Sequence, residues 1–127
     1  MPILTPAFAH TFANAWIDAW NRHDLDAVLS HYTEDFEFAS PFIRDIAGVE
    51  SGRLRGKAEV GAYWRLGLRR IPDLRFELVD VLCGVDGLTL YYRGHRGMAA
   101  ETFQFAADGK VERALACYAC AGAEGRP

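Results

Sequence analysis

Apolar residues Phe8, Phe12, Ala15, Trp16, Ala19 and Trp20 recur at spacings of three and four, painting one stripe along a helix of about four turns. Thr5 and Pro6 stand just ahead of the stripe, a hydroxyl that can accept from free N–H groups and a proline suited to the first turn. The pattern predicts a helix from about Pro6 to Arg22. Asp24 then caps a second, short helix whose apolar side is Leu25, Val28, Leu29 and Tyr32.

After the helices the period changes. Phe36 and Phe38 alternate with Glu37 as a short strand, which stops at Ser40-Pro41 because proline donates no ladder bond. Residues 42–56, FIRDIAGVESGRLRG, carry three glycines and mixed charges and read as a long loop. Helical spacing returns from Lys57 to Arg70 through Val60, Tyr63, Trp64 and Leu68, and Pro72 ends it. The rest reads as strand and turn. LRFELVDVLCGV and GLTLYYRGHRG flank a turn at Asp86-Gly87, and MAAETFQFAADGKVERALACYACA holds another at Asp108-Gly109. A β-bulge between Leu74 and Cys83 would shift the alternation there. This order predicts an α+β fold, three helices against one face of a curved, mainly antiparallel sheet, as a single domain ordered from about residue 5 to 121. The final GAEGRP is expected to fray.

Alternation also places the one acid of AAETFQF. Glu101 shares a strand face with Phe103 and Phe105, while Thr102 and Gln104 share the other. Two readings follow: an acid sunk among rings, or an acid at the sheet rim, solvated or paired with Arg93 or Arg96.

Composition narrows the partners. Half of the 127 residues are apolar, enough for a core without staples, and the formal net charge is −3. That balance argues against nucleic acid or an anionic membrane surface as partner. MPILTPAFAH has no basic segment followed by a long apolar run, so an unexported, cytoplasmic protein is expected. Cys83, Cys117 and Cys120 are too few for a disulfide scaffold and read as buried or half-buried thiols without chemical role. His10, His23 and His31 are not spaced with other ligands for a metal, and neither metal nor cofactor is expected. Asp18 lies off the apolar stripe, and Asp35 lies beyond the second helix. Arg93 and His95 share a face with Tyr91 and would form a base and an anion clamp if that face looked inward.

Three ordered segments, AWIDAWNRHDLDAVLSHYTEDFEFASP, GKAEVGAYWRLGL and ETFQFAADGKV, resemble the nuclear transport factor 2-like superfamily, in particular its SnoaL-like and ketosteroid-isomerase-like members. The resemblance implies a cone of helices and bent sheet around an apolar pocket, and a homodimer through the outer sheet face. Fold alone leaves the reaction open. In the isomerases an Asp before the proline ending the first strand is the general base; here that position is Ser40. The tyrosine oxyanion donor of the first helix falls on Trp16, and the tyrosine that supports it falls on Trp64. The protonated second donor falls on Glu101, ten residues before Val111. An acid kept neutral by an apolar site can donate to a carbonyl or enolate oxygen. Trp20, Phe103 and Tyr118 join Trp16, Ser40 and Trp64 as the implied ligand-binding residues, with Ala114 and Ala116 leaving room beside Tyr118.

The resulting expectation is a SnoaL-like protein holding a small apolar or aromatic, polyketide- or steroid-like molecule. If it is an enzyme, the reaction is an acid-assisted isomerisation, cyclisation, dehydration or epoxide opening that uses Glu101. The alternative is a non-catalytic binding or dimerisation module, with Val111, Leu115 and Cys117 as the outer apolar patch. Phe42, Ile43 and Ile46 of the long loop are expected to close over the ligand, with Arg44, Arg53 or Arg55 meeting an anionic group.

Overall fold

A computed structural model describes residues 4–120; the expected frayed tail lies outside them. Helix α1 (Pro6–Asn21) begins where Thr5 accepts the Phe8 amide at 3.0 Å, and it buries Phe12, Ala13, Trp16, Ala19 and Trp20. Ala13, not Ala15, completes the stripe. Asp24 caps α2 (Leu25–Leu29) through the Ala27 amide. Tyr32, expected on that helix, instead opens β1 (Tyr32–Ala39) and turns its ring into the core.

The expected loop contains a fourth helix, α3 (Pro41–Ala47). Ser40 caps it by accepting the Phe42 amide at 3.2 Å, Pro41 sits in its first turn, and Gly48 ends it at φ 72°, a left-handed conformation that glycine adopts without strain. Seven residues are too few to repeat an apolar stripe, which is why periodicity missed it. A short β2 (Arg53–Arg55) follows, then α4 (Lys57–Arg70), whose Val60 and Trp64 are buried.

The remaining strands are β3 (Glu77–Cys83), β4 (Gly87–Gly94), β5 (Gly97–Phe105) and β6 (Val111–Tyr118). All six strands form one sheet in the order β2-β1-β6-β5-β4-β3, with β1 and β6 parallel and every other pair antiparallel. The β3–β4 turn tip is Val85-Asp86, one residue earlier than expected, closed by Gly84 N–H donating to the Gly87 carbonyl. The expected bulge lies between Leu78 and Asp80.

Helices cover one face of this sheet, and the core lies between. Leu88, Leu90 and Tyr92 of β4, Phe103 and Phe105 of β5, and Ala114 and Ala116 of β6 point inward, all buried. Burying each large apolar side chain contributes about 1.5–3 kcal/mol relative to leaving it in water. Val111, expected on the outer face, is also fully buried: Phe105 pairs with Val111 and Gln104 with Arg113, so Glu112 is an extra residue that flips the alternation. The cysteines, expected buried or half-buried, are exposed, because Cys117 lies opposite Ala100 on the outer face and Cys83 lies on the edge strand β3.

Candidate functional site

Between the helices and the inner sheet face lies a cavity of about 370 Å³. Trp16 and Trp20 of α1, Tyr63 and Trp64 of α4, and Phe76 ahead of β3 wall it with rings. Tyr92, Ala99, Glu101 and Tyr118 form its sheet side. Trp20 and Trp64 meet edge to face with centroids 5.2 Å apart, and Trp16 stacks on Phe76 at 5.8 Å. Phe76 is held by Asn21, whose side chain donates to its carbonyl at 2.9 Å and accepts from its amide at 2.7 Å.

Glu101 faces this interior. Strand β5 runs through the sheet, and register sets Glu101 between Leu90 of β4 and Ala116 of β6, with 4% of its surface exposed. The rim reading fails: Arg93 points away and lies 3.9 Å from Glu77, and no cation approaches Glu101 within 4.0 Å among the described residues. Its one side-chain hydrogen bond comes from the Tyr92 hydroxyl at 3.1 Å. Burial lifts its pKa from 4.5 to about 7, and the Tyr92 bond pulls the other way. Near neutrality it is therefore present both as an acid that donates and as a carboxylate that accepts.

Burial also drives the Tyr32, Tyr63, Tyr92 and Tyr118 hydroxyls upward, and the nearby Glu101 charge adds to each. They stay protonated at neutral pH. The Trp16 indole N–H, expected to face a ligand, donates to the Tyr32 hydroxyl at 2.9 Å and is spent there. Trp20 differs. Its indole N–H is the one buried side-chain polar atom without a partner among the described residues, and Trp20 lines the cavity. An unmet buried donor costs about 1–3 kcal/mol, and this one is enclosed by its packing neighbours rather than open to the cavity.

Other expected site residues sit elsewhere. Phe103 is fully buried behind the wall, edge to face with Trp16 and Phe12, and does not line the cavity. Ser40 is 4% exposed, caps α3 and borders a separate shallow groove with Arg44 and Arg53, while its hydroxyl also interacts with those of the cavity-lining Tyr63 and Tyr118. Ile43 is core, whereas Phe42 and Ile46 do face the cavity. Arg53 and Arg55 lie beside Glu37 on the outer face, away from it. Tyr118 lines the cavity and stacks on Phe42 with centroids 4.3 Å apart.

The exposed edge of the cavity carries Arg70 at the end of α4, with His95 and Arg96. His95 was expected on a strand face beside Arg93; it lies instead at a turn tip, bracketed by the Gly94–Gly97 pair, with Gly97 at φ 101°. The signal was the spacing of two glycines around GHRG. Asp18 is bound to Arg22 at 2.8 Å on the surface. His23 meets the Leu74 carbonyl at 2.9 Å, and His31 packs on the Phe12 ring. Among the described residues no group of three His, Cys, Asp or Glu side chains is placed to hold a metal ion, and no helix is long and apolar enough to cross a membrane.

The profile of the SnoaL-like domain matches residues 13–120. The chain is 57% identical to a SnoaL-like protein of unknown function from Burkholderia thailandensis, with a TM-score of 0.89 over 93% of this chain and 99% of that one. It is 22% identical to AclR, a candidate hydroxylase from Streptomyces galilaeus (TM-score 0.69, covering 89% and 79%). It is 16% identical to a candidate ketosteroid isomerase from Kribbella flavida (TM-score 0.65, covering 93% and 85%). These two likenesses concern the fold. No curated protein matches.

Proposed function

Because the chain belongs to the SnoaL-like domain family, we propose that it binds a small, largely apolar molecule in the aromatic cavity and that Glu101 acts on it as hydrogen-bond donor or acid. The observation carrying this reading is one buried carboxyl, on a ring-lined cavity, with a pKa of about 7 and no cation to hold it ionised. A group titrating near the working pH is suited to giving and taking a proton.

Ser40 cannot abstract a carbon-bound proton at neutral pH, and among the described residues no second carboxyl lines the cavity. The proposed chemistry is therefore acid-assisted cyclisation, dehydration, epoxide opening or isomerisation, cofactor-free, with Glu101 as the proton carrier. The ligand-binding part rests on Trp16, Trp20, Trp64 and Tyr118.

A thermal-shift screen of aromatic ketones and polyketide-like compounds tests the reading. Stabilising compounds should lose their effect in Trp64→Phe, and Glu101→Gln should keep the fold while changing affinity or turnover. A Glu101→Gln variant that binds and turns over every hit as the parent does would remove Glu101 from the site.

The outer sheet face supports a second element, a homodimer. Leu115 is 42% and Tyr91 40% exposed there, a pairing of apolar groups that a second copy would cover. Leu115→Glu should halve the mass seen by light scattering after size exclusion; an unchanged mass, or a monomeric parent, rejects the dimer.

A further inference from the structure

The charges along the cavity are sorted. Among the described residues Glu101 is its one acidic lining residue and is buried, whereas the basic ones, Arg70, His95 and Arg96, are all exposed. They come from two elements, the last turn of α4 and the β4–β5 turn, so a single solvated helix face does not account for them. Neither Arg70 nor Arg96 has a carboxylate within 4.0 Å among the described residues, in a chain whose net charge is −3. The Arg96 guanidinium is also held: it lies 4.6 Å from the centre of the Phe42 ring, which itself lines the cavity and stacks on Tyr118. A cation fixed over a ring loses less freedom when an anion arrives.

We propose that the ligand is an amphiphilic aromatic acid, with an apolar ring body among Trp16, Trp20 and Trp64 and an anionic substituent directed outward to Arg70, His95 and Arg96. The inference rests on the reading of the cavity as a ligand site and names the substrate class for it. The polarity of the ligand follows from the two ends. An anion placed deep would meet Glu101 without a compensating cation, whereas an anion at the rim meets the guanidinium groups, whose planar fork suits carboxylate or sulfonate. The deep end offers the Glu101 carboxyl, which suits a neutral oxygen such as a carbonyl on the same molecule. A cavity of about 370 Å³ is at the small end of the usual size for small-molecule sites and suits a body of two or three rings.

Two dyes with one skeleton separate the contributions. 8-Anilino-1-naphthalenesulfonate carries an anion, and N-phenyl-1-naphthylamine is the same molecule without the sulfonate. Fluorescence titrations at low salt should show Arg70→Gln and Arg96→Gln each weakening the sulfonate about three- to fivefold, as partly exposed charge pairs do. The neutral dye should change less than about twofold, and added salt should weaken the sulfonate alone. Arg69→Gln, an exposed neighbour on α4 outside the cavity lining, should alter neither dye. Trp64→Phe should weaken both alike. Arginine variants that leave the sulfonate untouched, or weaken both dyes equally, overturn the anionic-ligand inference while the cavity reading stands. Dyes that bind without any response to Trp64→Phe, or fail to bind, overturn both.

Discussion

Glu101 makes stability itself a function of pH, in a direction opposite to that of an ordinary paired carboxylate. Its pKa is about 7 in the folded protein against 4.5 ordinarily, because folding strips it of water and supplies only the Tyr92 hydroxyl in return. Below pH 4.5 the group is protonated folded or unfolded and contributes no pH dependence. Between about 4.5 and 7 the folded state keeps a proton that the unfolded state releases, so stability falls as pH rises. Above 7 the loss is complete. A difference of 7 − 4.5 corresponds to about 3 kcal/mol, a large share of the stability of a domain this size. Glu101→Gln has nearly the same shape and no charge, so it removes this dependence; its amide adds an offset that does not vary with pH. Urea denaturation followed by the fluorescence of Trp16, Trp20 and Trp64 reads both proteins at pH 4.5 and 8.5. The wild type should lose about 3 kcal/mol relative to the variant across that interval. Parallel curves, or a Glu101 carboxyl carbon-13 midpoint near 4.5, would refute the reasoning.

Three further substitutions test the packing around the site. In Gly87→Ala the added methyl lands on the Phe103 carbonyl oxygen across the β4–β5 pair, so the backbone must shift; a loss above about 2 kcal/mol in chemical denaturation is expected, and a neutral result would mean the strands are not this close. Trp16→Phe leaves the Tyr32 hydroxyl without its indole donor and should cost about 2–4 kcal/mol, with a coupling of about 1 kcal/mol to Tyr32→Phe in a double-mutant cycle. Asn21→Ala removes both bonds to Phe76 and should cost about 1–3 kcal/mol while accelerating amide exchange at Phe76; unchanged exchange there would show that the segment is held by other contacts.

Much of this architecture is written in local patterns. The α1 stripe, the Thr5 and Asp24 caps, the limits of α4 and the alternation that sets Glu101 on one face with Phe103 and Phe105 all depend on residues within a few positions of one another. Local chemistry therefore suffices to read them. Where a single extra residue changes the period, as at Glu112, the same logic reverses a face, and Val111 goes to the core instead of the surface. Short elements escape too: α3 carries one buried residue, Ile43, and announces itself only through Ser40, Pro41 and Gly48.

The sequence by itself determined the α+β class, most element boundaries and the sharing of one strand face by Glu101, Phe103 and Phe105, because side-chain period and capping are properties of neighbouring residues. Only the tertiary structure decided that Trp16 spends its N–H on Tyr32 while Trp20 keeps its own, and that Arg70, His95 and Arg96 meet at one edge. Trp16 and Tyr32 lie 16 residues apart, and Arg70 lies on a different element from His95 and Arg96, so no local period encodes which partner is reached. The pKa of Glu101 belongs with them, since it depends on how completely α1, α4 and the sheet exclude water from around a single carboxyl.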